Sequence, residues 1–200
     1  MAFSSSQLEA AIKEGRFEDV APELDAEELQ SPNPNVLAQD WPIALHLLGH
    51  IYNGNLEDAR FLWKRTPAAV KEQDPELKAA FQLLQITWNK DYQAIWQALA
   101  ASGWSQHASK LIAALHAKLR AHSLQFLSRS YSTISPAKAA SLLGASEAEL
   151  QPLVEPEGWK LDPATNMFKV EERTVEDADR ADLQHLERLS RYMVHLETGA

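Results

Sequence analysis

Two histidines one helical turn apart, in His46-Leu-Leu-Gly-His50, have the type and spacing to bind a metal or move a proton. On a helix, residues four apart share one face. A zinc protease built on such a pair needs a glutamate directly after the first histidine as general base, and a third ligand from elsewhere. Position 47 is leucine, and no third ligand is evident nearby. Both imidazoles are therefore expected to pack between helices, with no metal bound. No other reactive constellation is present. The seven glycines form no Gly-x-Gly pair and precede no Lys-Ser/Thr, so no phosphate loop is expected. No Gly-x-Ser-x-Gly elbow occurs. Cysteine is absent, which removes disulfides, thiolate ligands and cysteine nucleophiles and fits a reducing compartment. Carboxylates are abundant, but they fall on helix faces where solvation accounts for them. The expectation is a chain with no catalytic, cofactor-binding or metal-ligating residues and no cofactor.

The 200 residues are 45% apolar and 24% charged, the balance of a globular protein of one or two domains. With 28 acidic against 19 basic side chains the net charge is −9, which repels the phosphates of nucleic acid. No apolar run approaches the roughly 18 residues that suggest a membrane span. The opening Met1-Ala-Phe-Ser-Ser-Ser6 lacks a basic region followed by an apolar one, so no signal peptide is expected.

Over residues 1–131 apolar side chains recur at three- and four-residue spacings: Leu8, Ala11 and Ile12; Ile43, Leu47 and Ile51; Phe81, Leu84 and Trp88. This period predicts helices. Thr66-Pro67 and Asp74-Pro75 each place a capping oxygen before a proline suited to the first helical position. Glu14-Gly15-Arg16-Phe17-Glu18-Asp19-Val20, Asn53-Gly54-Asn55-Leu56-Glu57-Asp58-Ala59 and Asn89-Lys90-Asp91-Tyr92-Gln93-Ala94-Ile95 follow one template, at offsets of 39 and 36 residues. Each has a turn, a polar residue and then an apolar residue opening a helix. Helical hairpins of the tetratricopeptide kind repeat about every 34 residues and stack because one hairpin cannot bury its own apolar face.

Residues 132–170 read differently. Ser135-Pro136 is expected to cap a short helix, Ala137 to Leu143, that stops at Gly144. Ser146-Glu-Ala-Glu149 is a capping box opening a second. Gly158–Leu161 and Met167–Val170 flank the turn-rich Asp162-Pro-Ala-Thr-Asn166 and predict a β-hairpin. Helix, turn, helix and hairpin make a winged helix, with a long helix from about Ser105 to Tyr131 behind it. Trp159 is placed to seal the hairpin onto the helices. DNA recognition is not expected: from Ser135 to Val170 three lysines face five acidic residues, and the second helix has no basic side chain to read base edges. Residues 171–182 form an acidic linker. Residues 183–197 then place Leu183, Leu186, Leu189, Tyr192, Met193 and Leu196 on one side of a terminal helix, an apolar stripe that needs other helices to bury it.

Helical repeats, a winged helix and a terminal helix follow the order of the PCI domain. Asp40-Trp-Pro-Ile-Ala-Leu-His-Leu-Leu-Gly49, Ala59-Arg-Phe-Leu-Trp-Lys-Arg65, Tyr131-Ser-Thr-Ile134 and Tyr192-Met-Val-His-Leu-Glu197 carry the likeness. Through them the chain resembles the PCI-domain family, and within it the smallest subunits of the COP-nine signalosome, the plant versions most. One departure is Pro152, which predicts a shortened or kinked second winged-helix segment. The resemblance implies a mostly α fold and a non-catalytic scaffold. It implies other signalosome PCI subunits as partners through the winged helix, and a central helical bundle as partner of the terminal helix. The isopeptidase that strips the ubiquitin-like protein Nedd from cullin ligases would sit on another subunit. The resemblance also implies nuclear and cytoplasmic location and, in plants, a part in photomorphogenesis. The rival readings are a PCI subunit of another assembly, such as the proteasome lid, and a nucleic-acid-binding winged helix.

Overall fold

A computed structural model describes residues 5–32, 37, 41–101, 103–163, 165–170, 190 and 193. Every element described in the first part is a helix: α1 (Ser5–Glu14), α2 (Val20–Gln30), α3 (Ile43–Asn53), α4 (Leu56–Arg65), α5 (Ala68–Gln73), α6 (Pro75–Asn89), α7 (Tyr92–Ala100) and α8 (Gln106–Ser130). The three template copies are the three turns of hairpins α1/α2, α3/α4 and α6/α7. Each turn contains one left-handed residue at the matching position: Gly15 at φ +76°, Gly54 at +81° and Lys90 at +56°. In the last two copies the apolar residue opens the second helix as expected. In the first, Arg16 to Asp19 remain a turn held by Arg16 ion pairs to Glu14 and Asp19, and the helix opens only at Val20. The short α5 lies within the 36-residue spacing between the second and third hairpins, whereas the 39-residue spacing spans the segment between α2 and α3.

The three predicted proline starts behave differently: Ser135 stands before a helix that begins at Pro136, but its side chain makes no capping hydrogen bond. Asp74 caps α6, its carboxylate accepting from the backbone N–H groups of Glu76 and Leu77, with Pro75 at the first position. Thr66 does not cap α5. Its hydroxyl donates back to the Leu62 carbonyl of α4, and Pro67 occupies the cap position. A threonine ending one helix can bond the preceding turn, as Thr66 does here at 2.8 Å.

Leu47, Leu48, Leu62, Leu77, Leu83, Leu111 and Leu115 form the centre of the first core, with Leu8, Ile12, Val20 and Leu24 as a smaller cluster beside it. Gly49 lets α3 approach α2. A Cβ there would meet the Ala21 nitrogen and Val20 Cγ1 at 3.1 Å.

The second core follows α8. A two-residue strand β1 (Thr133–Ile134) leads to α9 (Pro136–Leu143), α10 (Glu147–Val154), a 3-10 turn (Glu155–Glu157), β2 (Lys160–Asp162) and β3 (Met167–Lys169). Gly144 ends α9 in the left-handed region at φ +60°, and the Ser146–Glu149 capping box opens α10. The hairpin pairs Leu161 with Phe168. Strand β1, too short for alternation to reveal, pairs Ile134 with Phe168 on the other side, so the sheet order is β1-β3-β2. Pro152 does not end α10. The helix runs two residues past it and then tightens into the 3-10 turn that contains Pro156. The predicted shortening is therefore displaced to Val154. Leu127 from α8, Ile134, Leu143, Leu150, Val154, Trp159 and Phe168 fill this core.

Helix α8 belongs to both cores. Its 25 residues reach about 37 Å at 1.5 Å per residue. Leu111, Ile112 and Leu115 enter the first core and Leu127 the second. Among the described residues no helix is long and apolar enough to cross a membrane.

Candidate functional site

The winged-helix part is held by specific polar contacts rather than by chain connection alone. Helix α9 ends with carbonyls that have no partner within the helix. The Trp96 indole N–H, from α7, donates to the Leu142 carbonyl at 3.1 Å. Arg120, from α8, donates through Nε to the Leu143 carbonyl at 3.2 Å and through Nη2 to the Gly144 carbonyl at 2.9 Å. Its guanidinium also lies over the Trp96 ring, 5.9 Å from the centroid. His116 meets the same ring edge-on, with centroids 5.2 Å apart. Burial, then the neighbouring Arg120, lowers the His116 pKa from its ordinary value. One end of α9 is thereby clamped by two helices of the repeat part, which fixes how the sheet is presented.

Trp159 seals the sheet as its position suggested. It is buried against Phe168, and its indole N–H donates to the Ser128 hydroxyl of α8 at 3.0 Å. On the outside, Leu161 of β2 and Phe126 of α8 are exposed, at 44% and 57%. Of the six stripe residues, Leu183, Leu186, Leu189, Tyr192 and Leu196 lie outside the described residues. Met193 is helical and 63% exposed.

A second exposed surface lies on α4 and α6. In Ala59-Arg-Phe-Leu-Trp-Lys-Arg65, Ala59 and Leu62 are wholly buried, whereas Phe61 is 54% exposed. Trp63 stacks on Phe81 at 3.8 Å, and Arg60 covers the half-exposed Trp88 at 5.6 Å. Arg60, Trp63, Lys64, Phe81 and Trp88 line a groove of about 650 Å³. Core packing therefore explains only part of the tryptophan content.

The histidine pair is buried between α2 and α3, as helix packing predicted, but it is not alone. Asp25 of α2 places Oδ1 3.0 Å from His46 Nε2 and 3.5 Å from His50 Nε2. The two imidazoles stack at 4.8 Å, and the Trp41 indole N–H donates to His46 Nδ1 at 3.3 Å. That acceptor role puts the His46 proton on Nε2, facing Asp25. Burial, with the adjacent His50, pushes the His46 pKa down from 6.5 to about 4, against the opposing pull of Asp25. Neither nitrogen of His50 has a hydrogen-bond partner, although the residue is only 2% exposed. Sequence reading missed Asp25 because it lies 21 residues before His46, beyond the reach of any local motif. Helix α2 carries four carboxylates, Glu23, Asp25, Glu27 and Glu28, and nothing in the sequence sets Asp25 apart from the other three.

Comparison with known proteins covers both parts of the chain. The model of the CSN8/PSMD8/EIF3K family matches residues 37–179, from the second hairpin through the sheet. A protein of Arabidopsis thaliana named COP9 signalosome complex subunit 8 is 35% identical over 193 residues, 96% of this chain and 98% of its own length. Proteins of the same name from Xenopus tropicalis and Danio rerio are 30% and 29% identical. They cover 90% and 88% of this chain and 93% and 91% of their own lengths.

Proposed function

The chain belongs to the CSN8/PSMD8/EIF3K family, and from that premise we propose that it is a subunit of a COP9 signalosome that contributes structure rather than catalysis. The observation that carries the reading is the near end-to-end likeness to the Arabidopsis subunit, 96% of one chain against 98% of the other. In this reading the winged helix meets neighbouring PCI subunits, and the stripe Leu183, Leu186, Leu189, Tyr192, Met193 and Leu196 enters a shared helical bundle. The exposure of Met193 and of Leu161 supports surfaces that gain by association. Burying an apolar side chain contributes roughly 1.5–3 kcal/mol, so such a stripe has enough to gain to offset the cost of ordering. The complex would act on cullin ligases through a deneddylase carried by another subunit, in nucleus and cytoplasm, and in a plant would serve photomorphogenesis. Two described residues of the winged helix speak against nucleic acid: Glu149 of the capping box is acidic, and Lys169 is paired with Asp162 at 2.8 Å.

The test is affinity purification of the tagged full chain from its own cells, beside a variant with Leu186, Leu189 and Met193 replaced by Glu. Signalosome subunits are expected with the parent chain and at least tenfold fewer with the variant. Recovery of proteasome or initiation-factor subunits instead would overturn the assignment. Equal recovery with the variant would remove the terminal helix as anchor.

A further inference from the structure

We propose that Asp25, His46 and His50 form a three-ligand site for a divalent transition-metal ion of the zinc class, with a fourth position open toward solvent beside Asp25. The inference is independent of signalosome membership. One carboxylate oxygen and two imidazole nitrogens lie within 4.8 Å of one another. In a tetrahedral site with metal–ligand bonds near 2.1 Å, ligand atoms stand about 3.4 Å apart. The distances of 3.0 and 3.5 Å from Asp25 Oδ1 to the two Nε2 atoms already bracket that value. Helical spacing of four residues stacks the rings and directs both toward α2.

His50 supplies the second, separate observation. It is 2% exposed and both ring nitrogens are without hydrogen bonds, while Nε2 lies beside the Asp25 oxygen without bonding to it. A buried polar group left unpaired is unfavourable unless something completes it. Asp25, with 42% of its side chain exposed, gives an ion a way in. Two imidazoles and a carboxylate suit zinc, cobalt or nickel rather than magnesium or calcium. Leucine rather than glutamate follows His46, so no general base accompanies the ion. The site binds α2 to α3 and performs no hydrolysis.

Metal binding at His46 Nε2 requires the proton there to move. A neutral ligating imidazole carries it on Nδ1, so no net proton leaves the ring. The Trp41 N–H, which now donates to Nδ1 at 3.3 Å, must then turn away. Trp41 is thus both a reporter of binding and a brake on it.

The full-length chain, stripped with a chelator, would be titrated with Co²⁺ and then Zn²⁺, following visible absorption, calorimetry and tryptophan emission. The expected result is one equivalent of Co²⁺ with a tetrahedral-type spectrum, displaced by Zn²⁺, and a change in emission. Asp25→Ala, at a half-exposed position compatible with folding, is expected to weaken binding at least tenfold. His50→Phe should do the same. His122→Ala, on the exposed face of α8, should bind like the parent. Trp41→Phe should abolish most of the emission change and tighten binding severalfold. No binding by the parent chain below 100 µM, roughly, or equal affinity in Asp25→Ala, would show that the cluster is only a hydrogen-bonded contact between helices and overturn the proposal.

Discussion

The indole of Trp96 lies directly over the Cα of Gly144, so closely that a Cβ at that glycine would stand 2.4 Å from ring atoms Cγ and Cδ2. Gly144 is also left-handed, at φ +60°. The residue that ends α9 therefore also admits the side chain that joins the winged helix to the repeats.

Gly144→Ala combines backbone strain with an overlap that a packed indole cannot easily relieve. The expected loss is about 2–4 kcal/mol, from overpacking plus left-handed strain. Gly54→Ala is the matched control: φ is +81°, but nothing lies within 4 Å of the added Cβ. It should cost only about 1 kcal/mol, left-handed strain partly offset by the less free unfolded chain. Urea denaturation of both variants checks the difference, and equal losses would mean that the Trp96 contact carries no weight.

Arg120→Met keeps much of the aliphatic stem and deletes the donors to the Leu143 and Gly144 carbonyls. A loss of about 1–3 kcal/mol is expected. Amide hydrogen exchange should accelerate in α9 and α10 more than in α3 or α6. Uniform acceleration across the chain would contradict a local clamp.

His116 contributes a pH dependence with a definite sign. Its folded pKa lies below the ordinary 6.5, so the unfolded chain binds the proton more readily. The contribution is complete above pH 6.5 and is lost as pH falls through the folded value. His116→Phe, which keeps an aromatic ring against Trp96, should show a smaller drop in stability between pH 7.5 and 5 than the parent. An imidazole titration followed by NMR with its midpoint above 6.5 would reverse the sign.

Lys90 is a non-glycine residue in the left-handed region, at φ +56°, and its side chain is exposed. Lys90→Gly relieves about 1–2 kcal/mol of strain and gives back part of it through the freer unfolded chain. A net gain of up to about 1 kcal/mol is expected in thermal or urea unfolding. A loss would mean that the lysine side chain contributes to the α6/α7 hairpin.

Much of the fold was legible because its signals are local. Gly15, Gly54 and Lys90 mark one turn three times, Asp74-Pro75 starts α6, and Ser146 to Glu149 starts α10 through bonds made within four residues. Thr66 was misread because a hydroxyl between two helices meets carbonyl acceptors behind it and N–H donors ahead of it, and sequence does not rank them. Strand β1 was missed because two residues show no alternation. Ile134 becomes a strand only through pairing with Phe168.

The amino-acid sequence alone determined the helical period, the repeat, the winged-helix order and the absence of a contiguous catalytic motif, since all of these reside in neighbours along the chain. Tertiary structure decided what distance in sequence conceals. It set Trp96 on Gly144, Arg120 on the end of α9, and Asp25 between His46 and His50. Those contacts follow from how helices pack, and a side chain 20 or more residues away enters a site only once its helix is docked.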